Sequence, residues 1–168
     1  SSSVNGMIWS RGEAADYDAW EAAGCTGWNA ESMTNAFRTL EDHAFGESDT
    51  RGAGGLVHVD PKIHSYPLCD TMIAAGEAMG MKRVDDLNGT TGPRVGLYSH
   101  NIRGGRRQSA AVTYLASARK RPNVKVVTGV LAERILFTDG KATGVECNIG
   151  TFHCAGEIII SAGALESP

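Results

Sequence analysis

Glycine constrains this chain more than any other residue. There are 21 in 168 residues, about one in eight against a usual ~7%, and they follow no period. A collagen-like repeat is excluded, and so are long uninterrupted helices, because scattered glycines mark positions where the backbone turns tightly or must adopt a positive φ. The chain is therefore expected to be built of short elements joined by turns. A hydrophobic content of 42% with 21% charged residues still allows a packed core and argues against wholesale disorder.

Charge and cysteine usage exclude further classes. With 16 Lys+Arg against 19 Asp+Glu the net charge is -3, so nucleic-acid or membrane-surface binding driven by positive charge is disfavoured, and the one basic run, Arg103 to Arg107, is short. No apolar stretch approaches the ~18 residues that span a bilayer, and Ser1 to Ser10 lack a charged leader region. A soluble, cytoplasmic protein is expected. Cys25, Cys69, Cys147 and Cys154 form no CxxC pair, which favours buried free thiols over a disulfide framework or structural metal.

Three zones differ in pattern, and we divide the chain at 1–45, 46–105 and 106–168. In the first, Met33, Ala36, Phe37 and Leu40 repeat with helical spacing behind Asn29 as N-cap, and Gly24 and Gly27 separate this helix from a shorter one around Tyr17 to Ala23. The second is turn-rich, with a loop at Arg51 to Gly55, a strand at Leu56 to Val59 and a helix from Leu68 to Met79 stopped by Gly80. The third reads as a helix capped by Ser109 and ended by Pro122, a β run at Val124 to Thr128, and a strand from Leu131 to Phe137 that turns at Asp139-Gly140. Further strands are expected at Thr143 to Cys147, Thr151 to Cys154 and Glu157 to Ser161. The chain starts and stops in text that reads like the inside of a packed fold, which suggests a piece of something larger.

Ordinary catalytic constellations are missing. His43, His58, His64, His100 and His153 have no acid or nucleophile at a spacing that secondary structure brings together, and they read as solvent-exposed loop residues. His58 and His64 flank Asp60-Pro61, but no third ligand is near. GxSxG, HExxH and Walker A patterns are absent, and Gly52-Ala53-Gly54-Gly55 lacks the strand and third glycine of a dinucleotide fingerprint, so it reads as a plain loop. The first residues are more informative. Ser1 to Gly6 offers small side chains and backbone N–H groups ahead of an apolar segment, a backbone that can lie against a planar ligand or a phosphate.

Ser1-Ser2-Ser3-Val4-Asn5-Gly6-Met7-Ile8-Trp9-Ser10-Arg11-Gly12, followed by Ala15-Asp16-Tyr17-Asp18-Ala19-Trp20, resembles the first signature of the glucose-methanol-choline (GMC) oxidoreductases, FAD-dependent alcohol oxidases and dehydrogenases. Four more blocks resemble the family in order: Gly27-Trp28 with the helix after it, Gly104 to Leu115, Arg121 to Phe137, and Gly156 to Pro168 as the opening of the second signature. The resemblance implies an α/β fold, a mix of helices and strands making part of an FAD-binding Rossmann-like domain and part of a substrate-binding domain. The three zones then become a flavin-contacting segment with helices of the FAD domain, part of the substrate side, and an FAD-domain helix with a β-meander and closing strand.

It implies a reaction as well: hydride passes from an alcohol carbon to the flavin while a base takes the hydroxyl proton, giving an aldehyde or ketone. The substrate is a small alcohol; the electron acceptor stays open. The residues implied to contact FAD are Ser1, Ser2, Ser3, Val4, Asn5, Gly6 and Met7, then Val130, Ala132, Ala162 and Gly163. The family's GxGxxG unit and its C-terminal catalytic His lie outside this sequence, so no catalytic residue is assigned and the isolated chain is expected to be inactive. Some members tether FAD through a histidine just before the motif Asn; Val4 stands there and can form no such bond. Asn5 has a turn or cap role as its alternative, Trp9 a place in the core, and Gly163 a simple strand-to-turn role. Arg106 and Arg107 are read as capping or solvating a helix start rather than binding phosphate, and His100, where many members have Gln, as a structural or surface residue. A non-catalytic binding or scaffold module that kept a flavoprotein-like core is the competing reading.

Overall fold

The computed structural model describes residues 2–61, 65–163 and 165–167. Ser1, His64, Ala164 and Pro168 lie outside the described residues. Two compact units divide the chain, residues 1–118 and residues 119–168.

The first unit opens with an extended segment and two helices, α1 (Ala14–Ala22) and α2 (Ala30–Leu40). The Asn29 side chain accepts from Ser32 N at 2.9 Å, which satisfies one of the amide donors left open at a helix start. The apolar stripe of α2 turns Phe37 toward Tyr17 of α1 and toward Trp9, with ring centroids 6.5 and 5.9 Å apart. These ring contacts, edge-on with Trp9 and tilted with Tyr17, join the two helices to the extended segment.

Strands β1 (Glu41–His43) and β2 (Val57–Val59) pair in parallel, Asp42 opposite His58. The connection between them packs tightly: a Cβ on Gly52 would sit 1.7 Å from Arg38 O, and one on Gly55 2.3 Å from Leu40 O. The loop read as plain is therefore a close backbone approach that only glycine permits. Beyond β2 the pairing continues through single bridges, Asp60 to His100 and His100 to Ile8. The first residues are thus hydrogen-bonded into the same layer, Asn101 N to Met7 O at 2.9 Å and Trp9 N to Ser99 O at 2.8 Å.

Helix α3 (Pro67–Ala78) has proline in its first turn and ends before Gly80, whose φ is +89°. It packs its Gly76 on Val95 of β4 (Arg94–Val95), the parallel partner of β3 (Lys82–Arg83). A hairpin follows, β5 (Ile102–Arg103) and β6 (Arg106–Arg107), turned by Gly104-Gly105 at φ +55° and +73°. The expected helix after it is short and wide, a π-helical turn at Ala111–Leu115 and then α4 (Ala116–Ala118). Ser109 does not cap it with its side chain; its carbonyl accepts from Val112 N and Thr113 N, and Ala110 is the N-cap.

In the second unit, β7 (Ala132–Thr138), β8 (Lys141–Cys147) and β9 (Gly150–His153) form the expected antiparallel meander. Asp139 and Gly140 both have positive φ, +49° and +77°, the tight turn whose twist matches that of the strands. Val124 to Thr128 and Glu157 to Ser161 are not strands: among the described residues neither finds a ladder partner, and Ile159 and Ile160 are exposed. An apolar, β-branched run is a strand only where a neighbour takes up its backbone groups.

The apolar core is small, Tyr17, Val57, Val59 and Ile73 among the described residues, and polar side chains share the interior with it. Cys25 is exposed and the other three thiols are half-buried, so the expectation of buried thiols is corrected while all four are free.

Candidate functional site

Ser2 to Met7 is a turn gripped from two directions. Its end is held by the backbone bonds of Met7 and Trp9 to Asn101 and Ser99. Its beginning is held by β6, where Arg107 Nη1 donates to Ser2 O at 3.2 Å, Asn5 O at 2.8 Å and Asn5 Oδ1 at 2.6 Å. Ala110 N donates to Ser2 Oγ at 3.1 Å. Met7 N donates to Asn5 Oδ1 at 3.1 Å, and Met7 itself has φ +62°, a left-handed conformation that is uncommon outside glycine. Arg107 therefore neither caps a helix nor sits in solvent; it fixes this turn.

Three polar atoms next to this grip are buried without a partner among the described residues: Ser99 Oγ, His100 Nδ1 and Asn101 Oδ1. The exposed side of the turn carries Val4, Asn5 and Gly6, with nothing within 4 Å of a Cβ built on Gly6. The turn is thus held by hydrogen bonds at both ends and has open space above Gly6.

Behind the turn lies a charge cluster that sequence spacing did not show. Glu41 of β1 is fully buried, and its Oε1 accepts from Trp9 Nε1 and from Arg11 Nη2, while Gly52 N donates to Oε2 at 3.1 Å. Arg11 also donates to Thr50 O at 2.7 Å and lies over the Phe37 ring. Asn88 works as a short strand mimic, donating from Nδ2 to Trp9 O at 2.8 Å and accepting from Arg11 N at 2.9 Å. Trp9 is half-buried and packs edge-on against Phe37. Beside Arg11 a cleft of about 350 Å³ is lined by Tyr17, Phe37, Asn88 and Arg94, and both its guanidiniums are already paired with carboxylates, Arg11 with Glu41 and Arg94 with Glu13.

Two histidines also depart from the sequence reading. His43 is buried on β1, with Nδ1 accepting from Phe45 N and Nε2 3.9 Å from Asp86 Oδ2. Burial holds its pKa below the ordinary imidazole value, against the pull of Asp86 and Glu41. Parallel pairing of β1 and β2 sets His58 Nδ1 3.2 Å from Asp42 Oδ2, with Arg103 bonded to the same oxygen. The Asp42 pKa is lowered first by the Gly54 N–H, then by His58. An acid and a histidine are therefore brought together after all; no local pattern signals it, because the contact crosses a loop.

Of the cofactor residues expected from the sequence, Ser2, Ser3, Val4, Asn5, Gly6 and Met7 lie together on this turn in the first unit, and Ser1 is outside the described residues. Val130, Ala132, Ala162 and Gly163 belong to the second unit. Ala132 opens β7 opposite Cys147, Val130 has no hydrogen bond among the described residues, and Gly163 has φ +98° with open space where a Cβ would be.

A family model described as GMC oxidoreductase matches residues 1–168. The chain belongs to the GMC oxidoreductase family. An oxygen-dependent choline dehydrogenase from Rhizobium johnstonii is 41% identical over 172 aligned positions, covering 100% of this chain and 31% of the relative. Among solved structures, pyridoxine 4-oxidase from Mesorbium loti aligns with TM-score 0.83 at 28% identity over 90% of this chain and 31% of that one. An FAD-dependent oxidoreductase from Chaetomium thermophilum aligns with TM-score 0.88 at 26% identity over 99% of this chain and 32% of that one. The chain thus spans about a third of the length of the family members it matches. No helix among the described residues is long and apolar enough to cross a membrane.

Proposed function

We propose that the protein carrying this chain oxidises a small alcohol with FAD, and that this chain supplies part of the flavin cradle and part of the substrate side. The observation that carries the reading is the turn at Ser2 to Met7: the family's first signature falls on a segment that is fixed from behind and open in front. Its donor chemistry suits a flavin, whose ring edge presents carbonyl and ring-nitrogen acceptors, since Asn5 Nδ2 is free to donate among the described residues and Gly6 allows close approach. When bound, FAD would accept the hydride that leaves the alcohol carbon.

Residues 1–45 and 106–168 then serve the flavin and residues 46–105 the substrate side. Val130, Ala132, Ala162 and Gly163 would meet the dinucleotide chiefly through main-chain groups, which tolerates Ala132 where the family more often has Val. No histidine of this chain is given the role of base: His43 is buried and held neutral, and His58 is engaged by Asp42. The group that takes the hydroxyl proton would come from outside this sequence.

Choline is the first alcohol to test, because the matched relatives are named for it. The full-length protein, reconstituted with FAD, is titrated anaerobically with choline, pyridoxine and an aryl alcohol. Bleaching of the flavin absorbance by at least one of them supports the proposal. Failure to retain FAD at all, or a flavin that no alcohol reduces although dithionite does, contradicts it.

A further inference from the structure

Arg107 does more than hold a loop in place. Its guanidinium shares Asn5 Oδ1 with the Met7 amide, at 2.6 and 3.1 Å. A carboxamide oxygen has two lone pairs, so both are taken. The amide end of Asn5 then has one orientation: Oδ1 faces inward, and Nδ2 is left without a partner among the described residues, on an exposed side chain. The turn can therefore offer a donor there and not an acceptor.

We propose that Arg107 is a positioning residue that locks Asn5 as a hydrogen-bond donor toward the acceptor edge of the flavin. The proposal rests on the reading of Ser2 to Met7 as flavin-contacting. The hairpin is built for the task. Arg107 is on β6, the Gly104-Gly105 turn closes the hairpin, and Arg103 on β5 ties its other strand to Asp42 and His58. The guanidinium also anchors the main chain at Ser2 O and Asn5 O, so the donor and the backbone that carries it are fixed by one group.

The experiment measures the FAD dissociation constant and the visible flavin spectrum of the full-length holoprotein carrying Asn5→Ala, Arg107→Met, Asn5→Ala with Arg107→Met, and Asn5→Asp. Each single variant is expected to weaken FAD about 5- to 10-fold, and the double variant no more than about twofold beyond the weaker single, because the proposed effect of Arg107 reaches the flavin through Asn5. Asn5→Asp keeps an oxygen for Arg107 but has no N–H; it should bind FAD no better than Asn5→Ala, with the thermal midpoint of the apoprotein unchanged. It remains decisive where Arg107→Met does not fold. Multiplying effects of Asn5→Ala and Arg107→Met, or wild-type affinity in Asn5→Asp while Asn5→Ala is weak, overturns the positioning role alone. Unchanged affinity and spectrum in every variant overturns the flavin reading of the turn, and the proposal with it.

Discussion

At the scale of single residues, buried charge separates what composition permits from what the fold needs. Glu41 is surrounded by an ion pair and two further N–H donors, and Arg11 is nearly as deeply buried. Removing one partner strands the other in a low-dielectric interior, which costs far more than an exposed pair is worth. Glu41→Gln keeps the shape and removes the charge; urea unfolding should show a loss of about 3 kcal/mol. His43 gives the fold an acid limit. Its folded pKa is depressed by burial, so the unfolded state binds the extra proton first, and the stability contributed by neutral His43 is present above 6.5 and lost as pH falls from there toward the folded value. His43→Gln should flatten that part of the stability profile, and an unchanged slope would count against the assignment. Val4, exposed at 81%, has no nucleophilic atom, so FAD should be held without a covalent bond. Acid precipitation of the holoprotein should release the yellow colour to the supernatant; fluorescence kept in the pellet would defeat this.

At the scale of elements, legibility in the sequence followed locality. Helix α2 was readable because its cap and its apolar stripe lie within a few turns of one another, and the β7–β8 hairpin because Asp139-Gly140 encodes its own turn. Gly140→Ala forces a side chain to φ +77° and should cost about 1 kcal/mol, read as a lower unfolding midpoint. Val124 to Thr128 and Glu157 to Ser161 carry a β pattern without forming strands, because that pattern reports suitability for pairing, and pairing needs a partner. The helix after Ser109 was right in place but not in form, since hydrophobic spacing does not separate a π turn from an α turn over so few residues. In the candidate site, the turn at Ser2 to Met7 was legible from its small residues and signature. Its supports were not. Arg107 meets Asn5 across 102 positions and Asn88 meets Trp9 across 79, and Asp42 meets His58 only because two strands run parallel.

At the scale of the whole molecule, each unit shows a different part of the family's design. The first fixes an open turn on a small core reinforced by polar groups, and the second presents a meander whose Phe137 and Phe152 remain exposed. Residues 1–168 match the GMC oxidoreductase family model, and the chain covers 31% of a choline dehydrogenase relative. Flavin contact is proposed at Ser2 to Met7. A crystal structure of the full-length protein with FAD tests it most directly. Asn5 Nδ2 is expected within about 3.2 Å of a flavin oxygen or nitrogen, with Arg107 still on Asn5 Oδ1. A flavin ring seated away from this turn, with Asn5 Nδ2 facing solvent, would contradict it.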